Sequence, residues 1–276
     1  MPPKSKLGQN FLRDEQAIHR IVAALGDCSE RTVVEIGPGR GAITRELVGK
    51  AGRVIALELD AALAADLARD ISGNGAIDDG RIHIENVDVL TFDFAAESRA
   101  AGQRLLVVGN LPYYITSPIL LKLAENAGAL DRAVLMVQRE VADRVTANPG
   151  TRDRGLLSVT VQLHGTVTQL FNLPPQAFSP LPEVYSTVFR WQFAPRFEEL
   201  GVPYEAFLEF LRRAFALKRK TLANNLKAAG IEPDMIRESL REAEVEPQAR
   251  AEALSIEALA AVWRILRTNG AVAPGV

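Results

Sequence analysis

Several kinds of residue are scarce in this sequence, and each scarcity removes a class of explanation. Cys28 is the one cysteine among 276 residues, so neither an intrachain disulfide framework nor a cysteine-rich zinc site is available, and a reducing compartment suits the chain. The histidines His19, His83 and His164 are widely separated. Each reads as a surface or core histidine, and no metal is expected. Charge of one sign is also lacking. The formal net charge is −2, so no global basic field announces a polyanionic partner, and any such binding must come from local patches. No run of about 18 apolar residues is present, and the N-terminal M-P-P-K-S-K-L-G-Q-N-F-L lacks the apolar core of a secretory signal. A cytoplasmic chain with no membrane association is the expectation. What is plentiful is apolar: hydrophobic residues make up 47%, enough for one large domain and a smaller one.

Residues 1–13 carry Lys4, Lys6 and Arg13 and no acid. They read either as a frayed basic tail or, given Leu7, Phe11 and Leu12, as a segment packed across something. Asp14 is placed to cap a helix whose apolar positions are Ala17, Ile18, Ile21, Val22 and Leu25, with Gly26 at its end. Thr32–Ile36 is a short buried-strand pattern that runs into Gly37-Pro38-Gly39-Arg40-Gly41 and then a helix. Strand, glycine loop and helix form a ligand cradle, because glycines admit close backbone approach and the helix start offers free N–H groups. The G-x-G-x-G spacing, with Ala42 in sixth place, leaves a nucleotide cofactor open. A second strand, Arg53–Leu59, ends in Glu58, about 20 residues after the glycines, where an acid accepts from ribose hydroxyls. That role reads better than an ordinary surface acid, since loop and acid share one βαβ unit. Asp60 is the next N-cap. Asp88 closes a third strand pattern, 81–87, and could accept from an exocyclic amine or simply cap a turn.

Leu105–Val108 supplies a fourth strand. It is followed by Gly109 and Asn110-Leu111-Pro112-Tyr113, which is either a ligand-facing strand end or a proline turn. A helix from Ser117-Pro118 and strands at 131–138, 156–163, 167–171 and 185–193 follow. The expected fold is α/β, a doubly wound Rossmann-like sheet ending in a hairpin-like addition, with a domain over 1–195. After Pro195 the pattern is helical, and a small domain is expected over 196–276. Within it, residues 210–227 hold Arg212, Arg213, Lys218, Arg219, Lys220 and Lys227 and no acid. Such a run is either a solvated helix face or a phosphate-binding patch.

Taken together, several segments resemble the small-subunit ribosomal RNA adenine N6-dimethyltransferases (KsgA/RsmA type). They are K-S-K-L-G-Q-N-F-L-x-D (4–14), E-I-G-P-G-x-G-A-I-T (35–44), E-L-D (58–60), D-V-L (88–90), N-L-P-Y-Y-I-T-S-P-I (110–119), Q-R-E-V-A-x-R (138–144), F-S-P-x-P-x-V (178–184) and K-R-K-T-L-x-N-N-L (218–226). Their order and spacing carry the resemblance through nearly all of residues 4–227. The chain departs from the family pattern at Lys218, often arginine there, and at Glu183 and Tyr185, where lysine and aspartate are common.

The resemblance implies an S-adenosylmethionine methyl donor and no metal. It places Asn10 and Leu12 along the cofactor, Gly37 and Gly39 under its methionine part, Glu58 on the ribose, Asp88 on the adenine amine and Asn110 on the sulfonium side. It implies dimethylation of two adjacent adenosines in the 3′-terminal hairpin of 16S ribosomal RNA, in the small subunit or its precursor, by a monomer. An Erm-type enzyme acting on 23S ribosomal RNA and a non-catalytic ribosome assembly factor are the alternatives; a nicotinamide oxidoreductase leaves Asn110–Tyr113 without a task.

The chemistry gives those four residues one. Adenine N6 is a poor nucleophile because its lone pair is delocalised into the ring. Acceptors on both N6 hydrogens turn that pair outward. Asn110 can offer its side-chain carbonyl and Leu111 its backbone carbonyl, which Pro112 helps to fix. Tyr113 can stack on the base. Phe178 is a candidate for the opposite face, or else a core aromatic.

Overall fold

A computed structural model describes residues 10–72 and 80–270. The basic residues Lys4 and Lys6, Leu7, and the polar loop at 73–79 lie outside them. In chain order the strands and helices are β1 (Phe11–Leu12), α1 (Glu15–Ala23), β2 (Thr32–Ile36), α2 (Ala42–Leu47), β3 (Arg53–Glu58), α3 (Ala61–Ser72), β4 (Ile82–Asn86), α4 (Phe94–Ala101) and β5 (Leu105–Asn110). Then come α5 (Thr116–Glu125), β6 (Leu130–Gln138), α6 (Arg139–Val145), α7 (Leu156–Leu163), β7 (Gly165–Leu173), β8 (Phe178–Ser179) and β9 (Ser186–Phe193). Helices α8 (Tyr204–Ala214), α9 (Leu222–Ala228), α10 (Pro233–Glu242) and α11 (Ile256–Thr268) complete the chain.

These elements form two compact units, residues 1–142 with 166–194, and 143–165 with 195–276. The sequence-based boundary at 195 is therefore corrected in one stretch: residues 143–165 leave the first unit and join the second. The chain crosses between units more than once, which no local composition change announces.

The first unit carries a seven-stranded sheet in the order β4-β3-β2-β5-β6-β9-β7. Strands β4 to β6 run parallel, and β9 is antiparallel to β6. This is the doubly wound sheet with its antiparallel addition. Every residue of β2 is buried, as a parallel strand covered on both faces requires. The local caps follow the sequence. Asp14 Oδ1 accepts from the Ala17 N–H at 3.0 Å, and Asp60 Oδ1 accepts from Ala62 and Leu63 at 2.9 and 3.2 Å. Helix α4, with Asp93 accepting from Ala96 at 2.9 Å, was not anticipated.

Residues 156–163 form α7, not a strand. An apolar run of this length with β-branched residues has no decisive period. Two other features decide it. The Gly155 N–H donates to Ser158 Oγ at 3.0 Å and closes the first turn, and Val159 and Leu163 enter a helical core with Phe207, Leu222 and Trp263. In the same unit the buried Arg154 guanidinium donates to the Ala147 carbonyl, Gln162 Oε1 and the Leu254 carbonyl at 3.0, 2.9 and 3.3 Å. Burial lowers its pKa.

Strand order reverses between β2 and β5, since the chain builds outward through β3 and β4 and then returns to β2's other side. Ligands bind outside the carboxyl ends of strands at such a switch point. Gly109 pairs with Ile36 across it, and a Cβ on Gly109 would stand 2.6 Å from the Ile36 carbonyl oxygen. Only glycine lets β5 lie this close to β2. Gly109→Ala is expected to lower stability by about 1–3 kcal/mol, measured by urea denaturation; wild-type stability would show that the close approach is not required.

Candidate active site

A cleft opens at the carboxyl ends of β2, β3 and β5. Asn10, Leu12, Gly37, Gly39, Glu58, Asn110, Leu111, Pro112 and Tyr113 all line it. An adjoining recess of about 460 Å³ shares Gly37, Glu58 and Pro112 and adds Asp88 and Tyr114. The two recesses thus gather every expected site residue of the sheet except Phe178. That side chain is 3% exposed and sits in the hydrophobic core, paired through β8 with Leu12. The core-aromatic alternative describes it here.

The glycine loop is held in conformations that side chains disfavour. Gly37, Gly39 and Gly41 have φ of +67°, +54° and +75°. A Cβ on Gly39 would meet the Phe11 ring at 2.8 Å, so the segment carrying β1 packs directly on the loop, and the Arg40 guanidinium lies 4.8 Å from the centre of that ring. Strand β1 is in turn tied down by β8 and by Arg13 N–H to the Ala177 carbonyl at 2.8 Å. The described part of the N-terminal segment is therefore a packed strap.

Glu58, 4% exposed, accepts from the Gly39 N–H at 2.9 Å through Oε2 and from the Asp60 N–H at 2.9 Å through Oε1. Both oxygens are fixed, and each keeps a lone pair for a further donor. Asn86, which the sequence did not single out, braces this corner by donating to the Glu58 and Leu59 carbonyls at 2.9 and 3.0 Å. Asp88 Oδ1 accepts from Leu90 N–H at 2.9 Å. One of its oxygens is thus a turn cap, and the residue still lines the recess.

Asn110 Nδ2 donates to the Asn10 carbonyl at 2.9 Å. Only the NH₂ end of an amide can donate to a carbonyl, so Oδ1 is left as the accepting end. Next to it, the Leu111 N–H is bound to the Met136 carbonyl at 2.9 Å. The Pro112 carbonyl is occupied by Ile115 N–H at 3.2 Å and by Thr116 Oγ1 at 2.9 Å. Among the described residues nothing donates to the Leu111 carbonyl. The Tyr113 hydroxyl lies 3.3 Å from Ser186 Oγ, which fixes the far end of its ring.

Glu35 is a lining residue to which the sequence reading gave no role. An acid inside an otherwise apolar strand was the available signal. It is 1% exposed, and Thr44 Oγ1 donates to it at 2.6 Å. Burial, with a further contribution from the nearby Glu58 charge, pushes its pKa up to about 7.

In the second unit, Arg212 and Arg213 pair with Glu209 at 3.5 and 2.9 Å. The acid-free window at 210–227 began one residue after that glutamate, and the reading of a wholly unpaired run is corrected for these two arginines. Lys218, Arg219 and Lys220 are exposed and have no acidic partner among the described residues. No three histidine, cysteine or acidic side chains gather among the described residues, and no described helix is long and apolar enough to cross a membrane.

The model of a family described as ribosomal RNA adenine dimethylase matches residues 3–267. A ribosomal RNA small subunit methyltransferase A of Acidobacterium capsulatum is 57% identical over 95% of this chain and 91% of its own length; one of Koribacter versatilis is 47% identical over 96% and 94%. Among solved structures, a dimethyladenosine transferase from Plasmodium falciparum superposes with a TM-score of 0.81 at 22% identity, covering 95% of this chain and 99% of that one. The 23S rRNA methyltransferase ErmE superposes with 0.70 at 26% identity, covering 94% and 100%.

Glu35 gives the cleft a pH signature. Its folded pKa of about 7 lies above the ordinary 4.5, so the folded state retains a proton that the unfolded chain releases. The stability this contributes is complete below about pH 4.5 and is lost as pH rises through 7. Thermal melts from pH 5 to 8 are expected to show Glu35→Gln gaining on the wild type as pH rises; a constant difference would refute the assignment.

Proposed function

The chain belongs to the ribosomal RNA adenine dimethylase family, and from that premise we propose that its cleft carries out N6,N6-dimethylation of two adjacent adenosines in the 3′-terminal hairpin of 16S ribosomal RNA. The high identity to small subunit methyltransferases favours that subunit over the 23S substrate named for ErmE.

The residues of the cleft suit S-adenosylmethionine. Gly37 and Gly39 line the cleft with backbone held at positive φ, and Gly39 has no room for a side chain beside the Phe11 ring, so the loop presents backbone to the methionine part. Glu58 keeps a lone pair on each oxygen for the ribose hydroxyls, and Asp88 keeps Oδ2 for the adenine amine. Asn10 and Leu12 would close the strap side. When bound, the cofactor supplies a methyl group made electrophilic by a positively charged sulfur.

The protein's own work is on the base. The target adenine must leave its stack to enter such a pocket. Asn110 Oδ1 and the Leu111 carbonyl each take one N6 hydrogen, and the nitrogen lone pair turns out of the ring plane toward the donor side. Tyr113 holds the ring by stacking, a contact worth roughly 1–3 kcal/mol. No strong base is required, because the N6 proton becomes acidic once the nitrogen has been alkylated and passes to water. The single observation that carries this reading is the Asn110 amide, oriented by the Asn10 carbonyl, next in sequence to a Leu111 carbonyl to which nothing among the described residues donates. Lys218, Arg219 and Lys220 supply phosphate contacts that a chain of net charge −2 must concentrate locally.

Asn110→Ala is expected to reduce methyl transfer to undermethylated small subunits by about 100-fold or more, on the scale of losing one preorganised polar group, while calorimetry still detects S-adenosylmethionine binding. Wild-type turnover would remove Asn110 from the chemistry. Replacing Lys218, Arg219 and Lys220 together by alanine is expected to weaken RNA binding and to flatten its log–log salt dependence by about 2 to 3; an unchanged slope would exclude the patch.

A further inference from the structure

The three exposed cations sit on a turn built in an unusual way. Leu217–Lys220 is closed by the Lys220 N–H to the Leu217 carbonyl at 3.2 Å, and its third residue, Arg219, has φ +68°. A turn that is left-handed at this position alone favours glycine or asparagine there. Glu244, the other non-glycine residue with positive φ among those described (+53°), has an ordinary reason. It follows the end of α10, where a left-handed residue commonly closes a helix, and Val245 N–H returns to the Leu240 carbonyl at 2.8 Å. Arg219 closes no helix, since α8 stops at Ala214 and α9 begins at Leu222.

The conformation is imposed from below by one side chain. Asn225 is 3% exposed. Its Oδ1 accepts from the Leu217 N–H at 2.7 Å, and its Nδ2 donates to the Leu217 and Thr221 carbonyls at 3.3 and 3.2 Å. Every hydrogen-bonding site used on this amide goes to the two ends of the cationic segment. On the helix side, Leu222 N–H is anchored on the Ala249 carbonyl at 2.8 Å. Backbone conformations that the residue itself disfavours persist where the surroundings over-determine them, and they gather where function uses them.

We propose that the Leu217–Lys220 turn is a preformed phosphate clamp for RNA and that Asn225 is its positioning residue. Asn225 does not touch the RNA. It holds Lys218, Arg219 and Lys220 in the geometry that meets successive phosphates, so that binding does not have to order the segment. Arginine is kept at the left-handed position because its charge and planar donors are used there, where glycine would be the conformationally easier residue. This rests on the reading of these cations as the RNA contact.

The test is RNA binding and methylation kinetics with undermethylated small subunits, using the full chain. Asn225→Ala keeps all three charges. It is expected to raise the RNA Kd and KM about tenfold, the cost of ordering about one residue on binding, with kcat and S-adenosylmethionine affinity unchanged. Wild-type KM in a variant shown to be folded would overturn the positioning role. Arg219→Gly is expected to melt at or above the wild-type temperature while losing RNA affinity several-fold; a gain in stability with wild-type RNA binding would overturn the clamp. This second variant decides the matter if Asn225→Ala does not fold. Wild-type affinity and salt slope in the triple alanine variant would instead remove the RNA contact itself, whereas a weakened triple variant beside an unaffected Asn225→Ala would remove only the positioning.

Discussion

One hydrogen bond sets the chemistry of the cleft: the 2.9 Å contact from Asn110 Nδ2 to the Asn10 carbonyl. An asparagine amide presents a donor at one end and an acceptor at the other, and with no fixed partner it can be turned either way. Seating its NH₂ on a backbone carbonyl decides the question, because that carbonyl cannot donate. The acceptor end is then left for a ligand, as is the Leu111 carbonyl next in sequence, and the proposed reading gives these two acceptors one exocyclic amine. The donor's partner comes from the strap at the N-terminus, about 100 residues away in sequence, so the strap is part of the site and not decoration on it.

The rest of the first unit keeps that hydrogen bond in register. Gly109 lets β5 approach β2 closely enough for Asn110 to emerge at the switch point. Leu111 is bound to β6, and Tyr113 is bound through its hydroxyl to β9. On the other wall, Glu58 is clamped by two backbone N–H groups and buttressed by Asn86. Phe11 packs on the Gly39 backbone, which links the glycine loop to the same strap that orients Asn110. The glycine loop and Asn110 therefore share one structural element. In the second unit the same device recurs on a smaller scale, where a buried asparagine, Asn225, fixes a backbone segment through both ends of its amide.

What could be read from the sequence was local. The strand–glycine–helix cradle, the acid at the end of the same βαβ unit and the Asn110–Tyr113 turn are each short segments whose spacing already encodes their relative position. The caps Asp14 and Asp60 belong to the same class. What could not be read depended on distant partners. Leu156–Leu163 has no decisive period, and its helix is settled by packing against Phe207 and Trp263. For Phe178 the sequence leaves base contact and core both open, and its burial and the pairing of β8 with β1 put it in the core. Arg212 and Arg213 are paired because Glu209, just before the acid-free run, lies one helical turn away. Glu35 and Asn225 stand in the sequence as members of the E-I-G-P-G and N-N-L segments with no role of their own, and it takes three dimensions to show what each one holds.

The most direct measurement is mass spectrometry of nucleosides from small subunits lacking adenosine dimethylation after incubation with the protein and S-adenosylmethionine. The expected product is N6,N6-dimethyladenosine at two neighbouring positions of the 3′-terminal hairpin, with large subunits unmodified. Methylation of a different nucleoside, or of large subunits alone, would contradict the pairing of Asn110 and Leu111 with an adenine N6 of the small subunit.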